Sequence, residues 1–405
     1  MAVIDKKPKI KYIDNDPNLG IDYDWNLIAK EYKALGVPPE YDITDILPLG
    51  NEALKWYILT SERSVGKTTN ILLIGMVMNK LYGTVTQLIR HHIDKASYYE
   101  TLFNSIIAYN KGQYIKKLTG GHYNTVKYHW KNFYYALMDE KGKIIKDEKP
   151  FCVSLAADEC YNLCSFYEAP LGDWIVLDEC FNETNRPEEF VHFVHLHKTI
   201  VRERMSDKII LLGNNLDINN IWYRQLMIHN EVRKLEKGQS KIVHTSEGMP
   251  IYVHFMENRS PEKRRIFNKA HYGWNNPQLN AITGYGNWNV KMYPQTCRLE
   301  SREIMCRGIF FSYHDDLFME ASFISSSSGV YLEVHPTKRY TAIDGDILFQ
   351  IGFAGEMNEL TFGFDKLSKK IMKMVDMQRI VFSDNETGDL FGKFYFEATG
   401  RKLAC

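Results

Sequence analysis

Two groups of polar residues each follow a short apolar run. Gly66, Lys67 and Thr68 come after WYILTS, and Asp178 and Glu179 come after WIVL. A loop that opens a helix offers backbone N–H groups to phosphate, a lysine adds charge, and a hydroxyl can ligate Mg²⁺. An acidic pair at a strand end can hold hydrated Mg²⁺ and polarise water. The two groups together predict hydrolysis of ATP with Mg²⁺.

The first group lies in SERSVGKT, which departs from the usual phosphate-loop pattern G-x-x-x-x-G-K-[ST] at its first position. Ser61 stands where that glycine is expected, and Arg63 lies inside the loop. Serine is small, so it can replace glycine wherever the backbone angles are ordinary. The predicted nucleotide-binding residues are Ser61, Arg63, Ser64, Val65, Gly66, Lys67, Thr68 and Thr69, and the predicted metal-binding residues are Thr68 and Asp178.

Each of these residues has an expected role. Lys67 would reach the β- and γ-phosphates, and Glu179 would polarise the attacking water. Asn214 follows the run KIILLG, where a polar side chain can sense the γ-phosphate in ATPases with an additional strand between the two motif strands. A Gly-Lys-Thr triplet, an Asp-Glu pair or an asparagine at a strand end is also common in plain loops. Only their occurrence together, each after its own predicted strand, favours the nucleotide site.

Two arginines, Arg202 and Arg204, lie in VRERM at the end of the predicted helix that follows the Asp-Glu strand. Phosphoryl transfer is accelerated by an added guanidinium, which a neighbouring subunit often supplies. The alternative is that both arginines compensate the dipole at the end of their own helix.

The elements that would position these residues alternate between strand and helix. Apolar strand-like runs (WYILT, TVTQLIR, FCVSLA, WIVLDE, KIILLG) are separated by helical patterns and by one predicted hairpin, which indicates an α/β fold with a mostly parallel sheet. We divide the chain into an N-terminal arm (1–50) with one helix, a P-loop ATPase domain (51–258), a charged helical linker or lid (259–289), and an α+β domain (290–405) of strands followed by one basic helix, KLSKKIMKMV.

Composition excludes some classes of protein. Lys and Arg number 50 and so do Asp and Glu, so the chain is not coated with basic residues, although a local basic track remains compatible with this balance. The seven cysteines are scattered without a zinc-binding spacing. No apolar run is long enough to span a membrane and the first residues are polar, so we expect an intracellular protein without a membrane partner.

The chain resembles the DNA-encapsidation ATPases of phi-29-type small tailed phages, relatives of terminase large subunits and ring DNA translocases. The resemblance covers about residue 52 to the end and is carried, in order, by SERSVGKT, WIVLDECF, TIVRERMSDKIILLGNN, SPEKRRIFNKAHYG, ITGYGNWN and LSKKIMKMVDMQRIVFSDNETGDLF. The resemblance implies a P-loop ATPase domain of the additional-strand (ASCE) type and an RNase H-like C-terminal domain that is a vestigial nuclease. It further implies a homopentameric ring at the portal of an empty capsid in the host cytoplasm. That ring drives double-stranded DNA inward and hydrolyses ATP between subunits.

The resemblance also implies roles for single residues. Arg63 matches an arginine at the third position of the phosphate loop, Arg202 matches the arginine that acts on the next subunit's ATP with Arg204 as runner-up, and Asn214 matches the coupling motif. A lysine that the family carries before the Asp-Glu strand has no clear counterpart here. The N-terminal arm is longer and the last domain larger, which leaves open whether a structural RNA takes part.

Contacts to DNA need lysines and arginines that meet phosphates without regard to base sequence. The candidates are Arg90, Lys95, Lys127 and Lys131, although an ordinary solvated face would look the same. The last domain offers acidic residues for a two-metal nuclease site (Asp315, Asp316, Glu320, Asp344, Asp346). Because YHDDLF and DGDI are more typical of hairpin turns, we expect no nuclease. The alternatives are a terminase large subunit with an active metal-dependent nuclease and a non-hydrolysing, nucleotide-dependent portal adaptor.

Overall fold

The structure is a computed structural model. It describes residues 8–38, 42–61, 66–90, 102–108, 113–156, 172–181, 187–213, 221–232, 234–257, 293–313, 316–337, 343, 345–351 and 359–403. The chain divides into two compact units, Met1–Trp288 and Asn289–Cys405, which are described separately.

The first unit is built on one sheet of ten strands. The strands are β1 (Trp56–Ser61), β2 (Thr86–Arg90), β3 (Thr125–His129), β4 (Asn132–Met138), β5 (Ile144–Lys146), β6 (Cys152–Ala156), β7 (Trp174–Leu177), β8 (Lys208–Gly213), β9 (Ser240–His244) and β10 (Pro250–Met256). Their order is β3-β4-β6-β2-β7-β8-β1-β10-β9, with β5 paired to β4. The six strands from β6 to β10 in that order are mutually parallel.

Strand β8 lies between β1 and β7, so an additional strand separates the two strands that carry the predicted motifs. This arrangement confirms the expected P-loop fold with a mostly parallel sheet. Because the central strands are parallel, their carboxyl ends meet at one edge of the sheet, which we call the carboxyl edge; the opposite edge is the amino edge. Strands β1, β7 and β8 are buried along their whole length, as expected for a sheet covered on both faces.

Helices cover both faces of this sheet. On one face lie α1 (Trp25–Ala34), α2 (Lys67–Tyr82) and the short helices α3 (Asn104–Ala108) and α4 (Gln113–Leu118). Helix α2 is apolar almost all round because it is enclosed between the sheet and α1. On the other face lie α5 (Pro187–Val201) and the short α6 (Ile221–Gln225) and α7 (His229–Val232).

The second unit contains a six-stranded mixed sheet. Its elements are β11 (Glu303–Tyr313), β12 (Asp316–Ser326), β13 (Gly329–Pro336), β14 (Ile347–Gln350), β15 (Glu359–Thr361), α8 (Lys366–Asp376), β16 (Ile380–Phe382) and α9 (Asn385–Thr399). Strands β11 to β13 form an antiparallel meander, and β14 and β15 add in parallel beside β11. The strands of this sheet lie in the order β15-β14-β11-β12-β13-β16, and β16 pairs in parallel with β13.

The sequence predicted most elements of the first unit, including α2 with its bounds. The helix predicted over PEEFVHFVHLHKTIVRERM is shorter in the structure, because α5 ends at Val201 and both arginines lie beyond it. The sequence missed the strand pair β9 and β10, of which β10 extends the parallel sheet beside β1. The expectation that the last domain ends in one basic helix was wrong, because β16 and α9 follow α8. Two glycines, Gly388 and Gly392, weaken the helical signal of α9. A side chain at Gly388 would collide with the Tyr293 ring, and one at Gly392 would lie close to the Tyr293 hydroxyl.

Candidate nucleotide site at the carboxyl edge

One hydrogen bond joins the two predicted motifs at the carboxyl edge. The Thr68 hydroxyl, in the first turn of α2, donates to Asp178 Oδ1 at 2.9 Å. Thr68 is half-buried and Asp178 is 3% exposed. A hydroxyl and a carboxylate in contact form a donor set of hard oxygen atoms that suits Mg²⁺, so these residues fit the expected metal.

The structure describes the predicted phosphate-binding motif from Gly66 onward, where α2 begins. Gly66 precedes the helix with a φ of 81°, a left-handed conformation that glycine adopts without strain. Lys67 is buried, and its ammonium donates to the Ser61 hydroxyl at the end of β1. The Asn70 amide donates to the Gly66 carbonyl at 2.8 Å and accepts from Tyr32 of α1 at 2.7 Å. The N-terminal arm thus holds the first turn of the helix that follows the loop.

Glu179 takes a strained backbone conformation. Asp178 donates its N–H to the Ile89 carbonyl and Cys180 donates its N–H to the Leu212 carbonyl, so the residues on either side stay bonded to strands β2 and β8. Between them Glu179 has a φ of 58° and an exposed side chain. A left-handed residue other than glycine costs about 1–2 kcal/mol. Such strain is concentrated at functional sites, which supports a role for Glu179.

Arg90, at the end of β2, lies in this site. Its Nη2 donates to Asp178 Oδ2 at 2.6 Å, so both oxygens of that carboxylate are occupied, one by Thr68 and one by Arg90. The Arg90 side chain is only 22% exposed. Arg90, a predicted DNA contact, is therefore paired with the carboxylate predicted to bind the metal. Its contact with DNA stays a prediction.

Arg202 lies at the amino edge, directly after α5. Its N–H donates to the Lys198 carbonyl at 2.9 Å. Its φ of 54° is the left-handed conformation that often ends a helix, a position that glycine usually occupies. The side chain is exposed, and its guanidinium has no hydrogen-bond or ion-pair partner among the described residues. Strand β8 separates the two edges by about 17 Å at ~3.3 Å per residue. Arg202 therefore cannot reach the nucleotide site of its own subunit.

Arg204 is held in a buried network at the same edge. Its Nε donates to Asp173 Oδ1 at 2.8 Å, and Asp173 Oδ2 accepts from Tyr23 at 2.9 Å and Ser206 at 2.5 Å. Asp173 is fully buried. Burial, and then the Asp173 charge, raise the pKa of the Tyr23 hydroxyl well above its usual value. The network therefore ties the N-terminal arm to the segment that carries both arginines.

Lys208 begins β8 beside this network. Its ammonium donates to the carbonyls of Asn51 and Leu54 and lies 5.7 Å from the ring centres of Trp25 and Tyr57. Burial, and then the charge of nearby Lys55, lower the pKa of Lys208 to about 8.

Two of the remaining DNA candidates lie on one hairpin. Lys127 is in β3 and Lys131 is in the two-residue turn that joins β3 to β4. Trp130 and Lys131 both have positive φ angles, 51° and 64°, which this type of turn requires and which Asn-Gly usually supplies. The Trp130 side chain is 82% exposed at the tip. Both lysines are half-buried on the hairpin, and their contact with DNA stays a prediction.

Several predicted residues lie outside the described residues. These are Arg63, Ser64 and Val65 of the phosphate loop, Asn214 after β8, Lys95 after β2, and the linker 259–289. Thr69 is described, and its hydroxyl lies 3.2 Å from that of Ser105. No group of three or more metal-binding side chains occurs among the described residues, and no helix there is long and apolar enough to cross a membrane.

Comparison with solved structures gives likenesses of the fold. The chain is similar to the phi28 gp11 DNA packaging motor, with 15% identity over 85% of this chain and 95% of that one and a TM-score of 0.48. It is also similar to the bacteriophage phi29 genome packaging motor, with 12% identity over 85% of this chain and 96% of that one and a TM-score of 0.49. The chain is also similar to the ATPase domain of the Thermus phage P74-26 large terminase, with 14% identity over 64% of this chain and 96% of that one and a TM-score of 0.35.

No family model matches the chain, and no curated protein matches it in sequence. Identities and TM-scores of this size assign no role to any residue. The strand order shows a P-loop type of α/β fold with an additional strand, followed in the chain by a second unit with a six-stranded mixed sheet.

Sequence reasoning missed Arg90 and Asp173 as parts of these two clusters. Arg90 ends a strand next to the Asp-Glu strand, so the strand order would have placed it near Asp178. That order could not be read from the sequence, because parallel neighbours need not be consecutive. Asp173 directly precedes the apolar run WIVL, and its burial depends on the N-terminal arm, whose packing gives no local signal.

Proposed function

We propose that the protein is the ATPase of a viral DNA packaging motor, a ring of identical subunits that drives double-stranded DNA through the portal of a preformed capsid in the host cytoplasm. The observation that carries the ATPase part is the hydrogen bond from Thr68 to Asp178, which brings the two motifs together at the carboxyl edge. The resemblance carried by SERSVGKT, WIVLDECF and the later motifs supports DNA as the cargo.

The residues of the site have different roles in ATP hydrolysis. Backbone N–H groups at the start of α2 and the Lys67 ammonium bind the phosphates, and their charge offsets the charge that develops on the leaving group. Thr68 and Asp178 would hold Mg²⁺, which when bound neutralises the β- and γ-phosphate oxygens. Glu179 accepts hydrogen bonds from the attacking water and orients it, and its exposed position leaves room for that water.

Arg202 completes the site from a neighbouring subunit. It is exposed at the amino edge, without a described partner, and too far from its own nucleotide site to act there. A guanidinium supplied in this way adds a positive charge to the transition state only when subunits are in the ring. The buried pair of Arg204 with Asp173 supports a different role for Arg204, which is to fix the segment from which Arg202 projects.

We also propose that the second unit does not cut DNA. Strands β11 and β14 pair in parallel at the centre of its sheet, with Phe311 beside Phe349. The next residues of these strands, Ser312 and Gln350, are neutral. A two-metal nuclease would need carboxylates at such strand ends. Of the acids considered above, Glu320 contacts His335 and Thr337, and Asp346 accepts from the Ile343 N–H.

A packaging assay tests the proposal as a whole. The purified protein, empty capsids with their portal, linear double-stranded DNA and Mg-ATP are combined, and the DNA that becomes protected from added nuclease is measured. We expect protection that requires ATP and is lost in the Glu179→Gln variant. Plasmid cleavage with Mn²⁺ would favour a terminase with an active nuclease. ATP binding without turnover under all conditions would favour the portal adaptor.

A further inference from the structure

Arg90 and Thr68 contact opposite oxygens of the same buried carboxylate. Asp178 accepts from Arg90 Nη2 at 2.6 Å through Oδ2 and from the Thr68 hydroxyl at 2.9 Å through Oδ1. The side chains of Arg90 and Asp178 are 22% and 4% exposed, so water screens this pair poorly. The carboxylate expected to serve the metal is therefore already neutralised by a cation that belongs to the protein.

Two cations that share one carboxylate weaken each other's binding, because they repel and because each withdraws negative charge from the common partner. A cation held at Thr68 and Asp178 therefore competes with Arg90 for Asp178. The triphosphate of a bound nucleotide brings new negative charge to the same edge, where a guanidinium can pair with phosphate oxygens through its fork of N–H groups.

We propose that Arg90 is a resident cation of the nucleotide site: it neutralises Asp178 before Mg²⁺ binds, opposes the binding of a divalent metal until nucleotide is present, and contributes to nucleotide binding without metal. The proposal rests on the proposed function, since it requires that the site binds ATP. In this role Arg90 is a positioning residue for Asp178 and makes metal binding follow nucleotide binding.

The test measures binding of a fluorescent ATP analogue to the full chain, in EDTA and across a Mg²⁺ titration. For Arg90→Gln we expect metal-free affinity to fall at least about tenfold, because one cation near the triphosphate is lost. The Mg²⁺ concentration that half-saturates the nucleotide complex should fall as well, because Asp178 has lost its competitor. Arg90→Lys, which keeps the charge, should restore most of the metal-free affinity.

Arg204→Gln is the matched control. Arg204 also pairs with a buried aspartate, Asp173, but at the amino edge, so its loss should destabilise the fold without changing metal-free nucleotide affinity. A merely structural role for Arg90 would lower metal-free and Mg²⁺-dependent affinities by the same factor. That result, or unchanged affinities in both conditions, would overturn the proposal.

A second measurement uses the wild type alone and does not depend on the folding of a variant. Mn²⁺ binding is followed by electron paramagnetic resonance with and without ADP. We expect no measurable binding of Mn²⁺ at this site without ADP, since Arg90 neutralises Asp178 there, and binding once the ADP phosphates supply further oxygen ligands. Binding of Mn²⁺ to the nucleotide-free protein would show that Arg90 does not oppose the metal. Equal Mn²⁺ affinity in both states would overturn the role of Arg90 but leave the ATPase proposal standing. Absence of any nucleotide binding by the wild type would overturn both.

Discussion

Thr68 and Asp178 are 110 residues apart in the chain, yet the Thr68 hydroxyl donates to Asp178 Oδ1 at 2.9 Å. One residue begins the helix after β1 and the other follows β7, and the additional strand β8 lies between these two strands. The sheet thus brings the phosphate-loop hydroxyl and the acidic pair to one edge, which makes their cooperation in a single metal and nucleotide site testable by substitution.

Thr68→Ala should weaken Mg-nucleotide binding by at least about tenfold, as is usual when a metal ligand or its support is removed. Thr68→Ser keeps the hydroxyl and should retain affinity within about threefold. Titration with a fluorescent nucleotide at fixed Mg²⁺ measures both variants. Equal affinities for the alanine and serine variants would show that the hydroxyl does not serve the metal.

Glu179 should be essential for ATP hydrolysis, although its backbone conformation lowers the stability of the fold. Because its φ is 58°, Glu179→Gly should be more stable than Glu179→Ala by about 1 kcal/mol. Neither variant should turn over ATP, and both should bind it. Chemical denaturation and a phosphate-release assay give the two quantities. A glycine variant less stable than the alanine variant would contradict the strained conformation.

Sequence patterns were sufficient where a buried strand or helix carries its own signal, as in β1, β7 and α2. They also placed Lys67 and Asp178 at the ends of two strands of one sheet, because each follows such a strand. They gave no sign of contacts that depend on packing between distant segments. The pairing of Arg90 with Asp178 is such a contact, because an arginine after a strand does not show which strand will lie beside its own.

Arg202 and Arg204 should differ in what their loss does. Arg204→Gln leaves Asp173 buried without its cation and should destabilise the protein by about 3–5 kcal/mol, whereas Arg202→Gln should change stability little. Denaturant unfolding of the isolated subunits measures both. A large loss of stability in Arg202→Gln would contradict the exposed, unpaired position of its side chain.

Mixed rings test whether Arg202 acts on a neighbour. Subunits with Arg202→Ala retain Glu179, and subunits with Glu179→Ala retain Arg202, so a mixture contains some interfaces with both residues. We expect each variant alone to be inactive and mixtures to recover part of the ATPase activity. Inactive mixtures, with ring assembly shown by sedimentation, would count against action between subunits.

Lys208 should give a pH dependence of stability. Its pKa is lowered to about 8 in the folded chain, so between this value and its usual value near 10.4 the unfolded chain binds more protons. The contribution of Lys208 to the free energy of unfolding should therefore rise as the pH rises from about 8 to about 10. The free energy of unfolding is measured for wild type and for Lys208→Met, and the difference between them removes the effect of other titrating groups. This difference, wild type minus variant, should increase over this pH range. A flat difference would contradict a buried, charged Lys208.

The hairpin lysines remain predicted DNA contacts. Changing Lys127 and Lys131 together to Gln should weaken binding to double-stranded DNA of any sequence and reduce the slope of log affinity against log salt by up to about two. Lys141 and Lys143 are exposed near the other end of the same strand β4 and provide a matched double variant that should change neither. Equal effects of the two double variants would show only a loss of general charge.

ATP turnover by the assembled ring shows whether this protein is a packaging ATPase that hydrolyses ATP through Glu179. Phosphate release is measured for wild type and Glu179→Gln with Mg²⁺, in the presence and absence of double-stranded DNA and empty capsids. We predict that wild type hydrolyses ATP faster when DNA and capsids are present, and that Glu179→Gln binds ATP with unchanged affinity but releases no phosphate above background. Turnover by Glu179→Gln at the wild-type rate, or no turnover by wild type under any of these conditions, would contradict the account.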